Sequence, residues 1–593
     1  MEQWILMRKG ADYQALSEEF GILPVTARVI RNRGMITSQD FDEYLHGTIA
    51  CFGQARDMKD MELACDILRE KIEQHKKIRI IGDYDIDGVC ATTILWKGLQ
   101  SAGACVDAVI PHRVKDGYGL NKEMIERANI DGIDTILTCD NGIAAREEIA
   151  YAKMLGMTVI ITDHHEVPYE DVQGERHYLI PEADAVVDPK QEACGYSFKG
   201  ICGAFVAYKL IECFFALNAA LVTDALVMDA LWDELLQLAA FATVGDIMEL
   251  KGENRALVKE GLSRMRNAKS HGIKALLSVL GLTGTCLSTY HLGYLLGPCI
   301  NATGRIDTAE RALELLMSQD DVTAMQLASE LKAMNDSRKA FTEKGTEEAV
   351  AQITRGEHKD SKVLVIYLKD CHESIAGIVA GRIRERYGRP TLVITDAEDG
   401  LKGSGRSIET YHMYDALAAV GDIFTKFGGH AQAAGFSLPR ERLEELRKRL
   451  NENCSLTQED FRGKIYIDVD LPLSYVDTRL LDELTLMEPF GNGNEKPMFA
   501  RKGLILTEGK LLGAEGKVGK YKVCETDGAV YELTMFYRNQ EFLQFLREQH
   551  GADAVDGILG KRGGRIPISI AYYPQWNEYQ GRKSIQIVIA DYC

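Results

Sequence analysis

Three short apolar runs in the first third of the chain each end in acid. "KIRIIGDYDID" carries Ile78, Ile80 and Ile81 into Asp83, Asp85 and Asp87, "TILTCD" ends at Asp140, and "MTVIITDHH" ends at Asp163, His164 and His165. Between and after them lie stretches with helical spacing, such as "VCATTILWKGLQSAG" and "AAREEIAYAKMLG". This alternation predicts βαβ units and a mainly parallel sheet covered on both faces. In such a sheet all strands point the same way, so residues just past their carboxyl ends collect along one edge. Acids far apart in the chain are therefore expected to meet. A later acid, Asp246 in "AAFATVGDIMEL", follows an apolar helix and a glycine and is expected at the same edge.

Several carboxylates a few ångströms apart repel, and they stay ionised together only if cations sit among them. The D-x-D-x-D-G order suggests an EF-hand, but counting from Asp83 the twelfth ligand position is Ile94, and a strand, not a helix, precedes the loop. Oxygen ligands with one or two histidines suit Mn²⁺ or Mg²⁺ and not zinc. Two such ions sharing a carboxylate activate a water and clamp a phosphoryl oxygen. Any one of these acids alone would pass for a helix cap or turn residue. The set has no such bland account.

The rest of the chain divides by pattern. Its 593 residues exceed one core. The expected organisation is an N-terminal segment over 1–60, a parallel-sheet domain over 61–270 and a helical connector over 271–355. A smaller α/β domain over 356–457 and an antiparallel OB-type β-barrel over 458–593 follow. The net charge of −19 argues against adhesion to polyanions over the whole surface, but leaves room for a local basic groove. The amino terminus lacks the pattern of a secretory signal, and the most apolar stretch, around "LVTDALVMDALWDELLQLAAF", is broken by acids, so buried helices are expected and no membrane span. The 14 cysteines include no C-x-x-C pair and read as reduced thiols, which points to the cytoplasm.

"DYDIDG", "TCDNG", "DHH" and "VGD", in that order, resemble the metal-site motifs of the DHH phosphoesterase superfamily. "GSGRS" at 403–407 and "GGHAQAAGF" at 428–436 are similar to its DHH-associated domain. The resemblance implies a single-stranded-DNA-specific 5′→3′ exonuclease releasing 5′-mononucleotides by two-metal hydrolysis, acting in DNA repair and recombination. By that resemblance Asp85, Asp87, Asp140, His164 and Asp246 match metal ligands, with Asp140 as the bridge and Asp83 as another group in or near the metal shell. Asp163 orients a histidine, His165 faces the substrate phosphate, and Arg305 in "NATGRID" contacts the scissile phosphate beside Asn301. Ser404 and Arg406 match residues that hold a terminal 5′-phosphate, with Arg113 and Tyr118 as partners and His372 and His430 lining the cleft. One departure stands out: "CHESI" occupies 371–375 where the family commonly has Trp-His-x-Gly-Val.

In the last domain Tyr572, Tyr573, Trp576 and Tyr579 interleave with Arg582 and Lys583, a mixture suited to base stacking and backbone neutralisation on an OB barrel. The implied cofactors are two divalent cations, Mn²⁺ or Mg²⁺. The implied partners are single-stranded DNA and, from the family, a single-strand-binding protein and a RecQ-type helicase, with a monomer acting away from membranes. The rival activities are those of an oligoribonuclease or cyclic-dinucleotide phosphodiesterase of the same superfamily, whose members lack the barrel. A binding scaffold with a dead nuclease site is a rival of another class, and the intact acids speak against it.

Overall fold

The computed structural model describes residues 2–593 apart from 114–115, 118, 220–224, 398–399, 514–515, 561–562, 580 and the side chain of residue 579. Residues 48–461 form one compact unit, and residues 1–47 with 462–593 form another.

In the larger unit the central sheet has five parallel strands, in the spatial order Cys105–Val109, Lys77–Ile81, Thr135–Cys139, Thr158–Thr162, Ala185–Val187. Alternate side chains serve opposite faces. Ile78, Ile80 and Leu137 enter the core under the helices Ile86–Ser101, Gly203–Leu217 and Ala225–Gly245, while Ile81 and Ile136 pack under Lys122–Ile130 and Arg146–Met154. The strand that comes first in the chain lies between the second and the third, so the order reverses between Lys77–Ile81 and Thr135–Cys139. Such a reversal splays neighbouring loops apart and leaves a crevice at the carboxyl edge. The loop carrying Asp83, Asp85 and Asp87 leaves one of these strands, and Asp140 leaves the other.

No described helix is long and apolar enough to cross a membrane. The connector includes Gly297–Ile306 and the 34-residue helix Asp321–Thr354, about 50 Å long. The second sheet runs in the order Lys426–Gly429, Ala433–Leu438, Gly400–Arg406, Thr391–Ala397, Leu364–Tyr367, with only the last pair parallel.

The smaller unit is built on a closed five-strand barrel in the order Phe499–Leu512, Val518–Cys524, Val530–Met535, Arg582–Tyr592, Ile566–Tyr579, with the last strand pairing back to the first. The expectation of an antiparallel barrel holds for four seams. The fifth, Leu533–Thr534 against Ile587–Val588, is parallel, as an odd number of strands requires when the barrel closes. Residues 1–47 join this unit: Gln3–Leu6 pairs in parallel with Lys464–Ile467, and buried Arg33 meets buried Asp468 at 2.8 Å.

Candidate active site

The acid loop is held by its own backbone. Asp85 Oδ1 accepts from the Asp87 N–H at 2.9 Å and the Gly88 N–H at 3.2 Å, capping the helix Ile86–Ser101. A Cβ at Gly88 would lie 2.4 Å from the Asp83 carbonyl oxygen, so the loop folds back only over glycine. Asp87 turns inward, and its two oxygens accept from the Gly203 and Ala204 N–H groups at 2.7 and 2.8 Å. Those groups open the helix Gly203–Leu217, whose positive end favours a carboxylate. Asp140 has φ 59°, a left-handed backbone uncommon outside glycine and typical of sites where geometry is imposed by function.

These acids meet. His164 Nε2 lies 3.1 Å from Asp140 Oδ1, 3.4 Å from Asp87 Oδ2 and 3.9 Å from Asp246 Oδ2. Ligand atoms of Asp83, Asp85 and Asp140 fall within 4.8 Å of one another, as do those of Asp87, His164 and Asp246, and those of Asp140, His164 and His165. Asp140 belongs to two of these sets. Burial, then the neighbouring Asp85, pushes Asp83 up to about 7. Burial, then Asp87, raises Asp140 and Asp246 well above the usual carboxylate range. Burial holds His164 below the ordinary histidine value, which keeps its imidazole neutral and fit to donate a lone pair.

The residues fit divalent cations. Asp83 Oδ1 and His164 Nδ1 are buried with no hydrogen-bond partner among the described residues, a costly state for polar atoms that a bound ion and its hydration shell relieve. The donor set is hard oxygen with one buried imidazole, the chemistry of Mn²⁺ or Mg²⁺. Asp163 orients the histidines: its Oδ1 accepts from the backbone N–H of His164 and of His165 and lies 2.8 Å from His165 Nδ1, while Oδ2 accepts from the Ile143 N–H. Burial opposes charge on His165, but the Asp163 contact outweighs it and raises the ring to about 9.

Beside the acids lies a cleft of about 490 Å³ whose lining includes Tyr84, Arg113, Arg305, Ser374, Ser404 and Arg406. Tyr84 sits between Asp83 and Asp85 in the chain, so one short loop serves both the acid cluster and the cleft. The Arg113 guanidinium lies 4.8 Å from the centre of the Tyr84 ring. Arg305 donates through Nη1 to the Ser374 carbonyl at 2.8 Å, and Arg406 donates to the Gly405 carbonyl at 2.8 Å. Burial, then Arg113, Arg338 and Arg406, lowers Arg305 to about 10.

Other expected residues take different places. Asn301 Oδ1 accepts from the Ile86 N–H at 2.9 Å, so its amide oxygen holds the acid loop. His372 caps the helix Glu373–Tyr387 by accepting from the Ser374 N–H, and His430 accepts from the Gln432 N–H in a bend; Glu373 and Ser374 beside the one, and Gly428 near the other, line the cleft. Tyr572 is fully buried with its hydroxyl on the Leu471 carbonyl at 2.8 Å, and it is barrel core instead of a stacking surface. Tyr573 lies under Lys496 Nζ at 3.8 Å and Trp576 under Lys583 Nζ at 4.0 Å, and Arg582 is exposed. Tyr118 and the Tyr579 side chain lie outside the described residues. Pattern reading missed Lys402 and Lys426, which line the cleft. Lys402 alternates with Ser404 and Arg406 in "GLKGSGR", and period two along a strand was the signal available. It also missed Asp188, fully buried at the end of the strand Ala185–Val187, with Oδ1 on the Lys190 N–H at 2.7 Å.

The chain matches the DHH family N-terminal domain over residues 77–243, the DHHA1 domain over 360–456 and the RecJ OB domain over 467–591. It is 34% identical to the single-stranded-DNA-specific exonuclease RecJ of Bacillus subtilis, covering 99% of this chain and 70% of that protein. It is 30% identical to the Escherichia coli protein of the same name, covering 99% of both. Among solved structures, Thermus thermophilus RecJ in complex with Mn²⁺ superposes with a TM-score of 0.79 at 26% identity, covering 100% of this chain and 79% of that one. The Mg²⁺ complex of that protein gives 0.74 at 25% identity, covering 100% and 78%. With full-length relatives at 30% identity or more and the three domains in order, the chain belongs to the RecJ family.

Proposed function

We propose that the protein is a metal-dependent exodeoxyribonuclease, specific for single-stranded DNA, that works from the 5′ end and releases 5′-mononucleotides in DNA repair and recombination. The observation that carries this is the sharing of one loop: Asp83 and Asp85 face the acid cluster while Tyr84 lines the arginine cleft. A phosphodiester lying along that loop has carboxylates suited to cations on one side and guanidinium groups on the other.

Asp83, Asp85, Asp87, Asp140, His164 and Asp246 would hold two divalent cations, as the metal complexes of the Thermus protein suggest. Bound there, the ions supply an activated water and neutralise charge developing on the phosphoryl oxygens. The protein's own groups do the rest. Arg305, half-buried and tethered to the Ser374 carbonyl, is placed to meet the scissile phosphate. Asp163 fixes His165 through Nδ1, which leaves Nε2 as the atom able to meet a substrate oxygen. Arg113, Ser404 and Arg406 receive the terminal 5′-phosphate, and a pocket that binds the chain end sets polarity by position.

The proposed boundaries remain those of the sequence pattern, with residues 458–593 as the nucleic-acid-binding barrel and Tyr573, Trp576, Arg582 and Lys583 on its strand-facing surface. Action as a monomer in the cytoplasm, beside a single-strand-binding protein and a RecQ-type helicase, completes the proposal; sedimentation and co-purification test those parts. The activity is tested with 5′- and 3′-labelled single strands, duplexes and short RNA oligomers, with manganese or chelator. The expected result is immediate release of the 5′ label as mononucleotide from single strands only, and only with metal. Release from the 3′ label first, or preference for RNA dimers, overturns it.

A further inference from the structure

The helix Gly297–Ile306 lies directly against the acid loop. Asn301 Oδ1 accepts from the Ile86 N–H at 2.9 Å, and a Cβ at Gly304 would come 2.8 Å from the Tyr84 carbonyl oxygen. Arg305 follows in the last turn, where backbone carbonyls have no partner within the helix. Its carbonyl finds one across a junction: Ser374 Oγ donates to it at 2.8 Å. Ser374 belongs to a different helix, Glu373–Tyr387, and its own carbonyl accepts from Arg305 Nη1 at 2.8 Å. One residue therefore takes both ends of Arg305, main chain and guanidinium. Ser374 Oγ also lies 2.7 Å from His372 Nδ1, so the hydroxyl is bounded on both sides. The neighbouring acid, Glu373, is occupied by Lys402 at 2.9 Å. The Arg305 guanidinium, tied here to a neutral oxygen, keeps its charge for an anion.

Half of this arrangement belongs to the backbone and half to the side chain. Any residue at 374 offers the carbonyl, but the bond to the Arg305 carbonyl needs a side-chain donor. The stretch is the one in which the sequence departs from the family pattern, with Ser374 where glycine is usual. A glycine there has no atom for the task. With Ser374 the last turn of Gly297–Ile306 is held between the acid loop on one side and the helix Glu373–Tyr387 on the other. We infer that Ser374 is a positioning residue: through its hydroxyl on the Arg305 carbonyl it holds the Arg305 guanidinium in register with the acid loop. This rests on the proposed function, which gives the scissile phosphate to Arg305. An arginine fixed in advance meets that phosphate without first giving up side-chain freedom, and a misplacement of about 1 Å at such a contact can cost about a hundredfold in rate.

The test uses the full chain with manganese and a 5′-phosphorylated single-stranded 12-mer. It reads the single-turnover cleavage rate at saturating enzyme, the enzyme concentration giving half that rate, and Tm. Ser374→Ala keeps the carbonyl contact and removes the hydroxyl. It should lower the saturated rate about tenfold, while the half-saturating concentration changes less than about twofold. Ser374→Thr, which restores a hydroxyl, should recover most of the rate. In an Arg305→Gln background Ser374→Ala should cost less than about twofold, because the group it positions is gone. A merely structural joint would cost the same with or without the guanidinium. A rate for Ser374→Ala within about twofold of wild type, or the full loss of about tenfold in the Arg305→Gln background, overturns the inference and leaves the exonuclease reading standing. A wild-type rate for Arg305→Gln overturns the inference together with the scissile-phosphate role of Arg305. Failure of the wild type to release 5′-mononucleotides overturns the exonuclease reading and the inference with it.

Discussion

The central sheet has two edges, and they treat charge in opposite ways. At the amino edge four aspartates have their cations: Arg79 joins Asp107 and Asp131 at 2.7 and 2.9 Å, Lys71 meets Asp134 at 2.6 Å, and Lys153 meets Asp184 at 2.6 Å. The Asp107 hydrogen bond holds Arg79 above its ordinary value even though burial pulls the other way. At the carboxyl edge Asp83, Asp85, Asp87, Asp140 and Asp246 crowd together around His164, and across the cleft the Arg305 and Arg406 guanidinium groups rest on neutral oxygens. The same fold satisfies charge where it is free to. The carboxyl edge is incomplete by itself: cations complete one side of it and phosphates the other. An unmatched edge opposite a matched one is the physical mark of the site.

The largest effect expected from breaking this contrast is on catalysis. Asp140→Asn removes the charge shared by two of the ligand sets while keeping shape, and should lower kcat about a thousandfold or more. Without metal the same change should raise Tm slightly, since it relieves repulsion from Asp87 and Asp85. Purely structural acids would give a fall in Tm instead. Metal removal comes next. A cation at 100 times its Kd adds about 2.7 kcal/mol to stability, so chelation should lower Tm measurably in the wild type and far less in Asp140→Asn. An unchanged Tm in the wild type would mean that the acids do not cage ions.

On the arginine side the effect is smaller and selective. Arg406→Ala should weaken cleavage of 5′-phosphorylated strands about tenfold more than that of 5′-hydroxyl strands, because only the former present the anion that Arg406 awaits. Equal losses on both would assign Arg406 to the strand at large. Comparing kcat/KM on the two ends settles the matter without any assumption about folding.

The carboxyl edge was legible because alternation of period two with helical spacing fixes strand direction, and direction alone brings Asp83, Asp85, Asp140 and His164 together. What those residues do for one another was less legible. Asp87 lies on the amino end of the helix Gly203–Leu217, more than a hundred residues away in the chain, and no local pattern announces that contact. Tyr572 was misread because an aromatic beside basic residues looks the same in a stacking surface and in a barrel core; which face of the strand points inward is set by closure of the barrel. Asn301 and His372 were expected near substrate from the family resemblance, and no local pattern showed that each also places an acceptor on a backbone N–H group at a helix start.

The smallest prediction concerns an ordinary matched pair, and it calibrates the others. Exposed Asp422 lies 2.8 Å from Arg449 and 3.1 Å from Arg442. The hydrogen bond from Arg449 lowers its carboxyl from 3.8 to about 2. A carboxylate with a depressed folded-state value contributes its stabilisation fully above the ordinary value and loses it as pH falls through the folded one. Asp422→Asn should therefore lower Tm slightly at neutral pH, less at high salt, with the difference from wild type fading between about pH 4 and pH 2. Catalysis should not change. If Asp422→Asn instead altered cleavage as strongly as Arg406→Ala does, charge anywhere on the second sheet would matter alike, and the distinction between a matched surface and an unmatched cleft would lose its force.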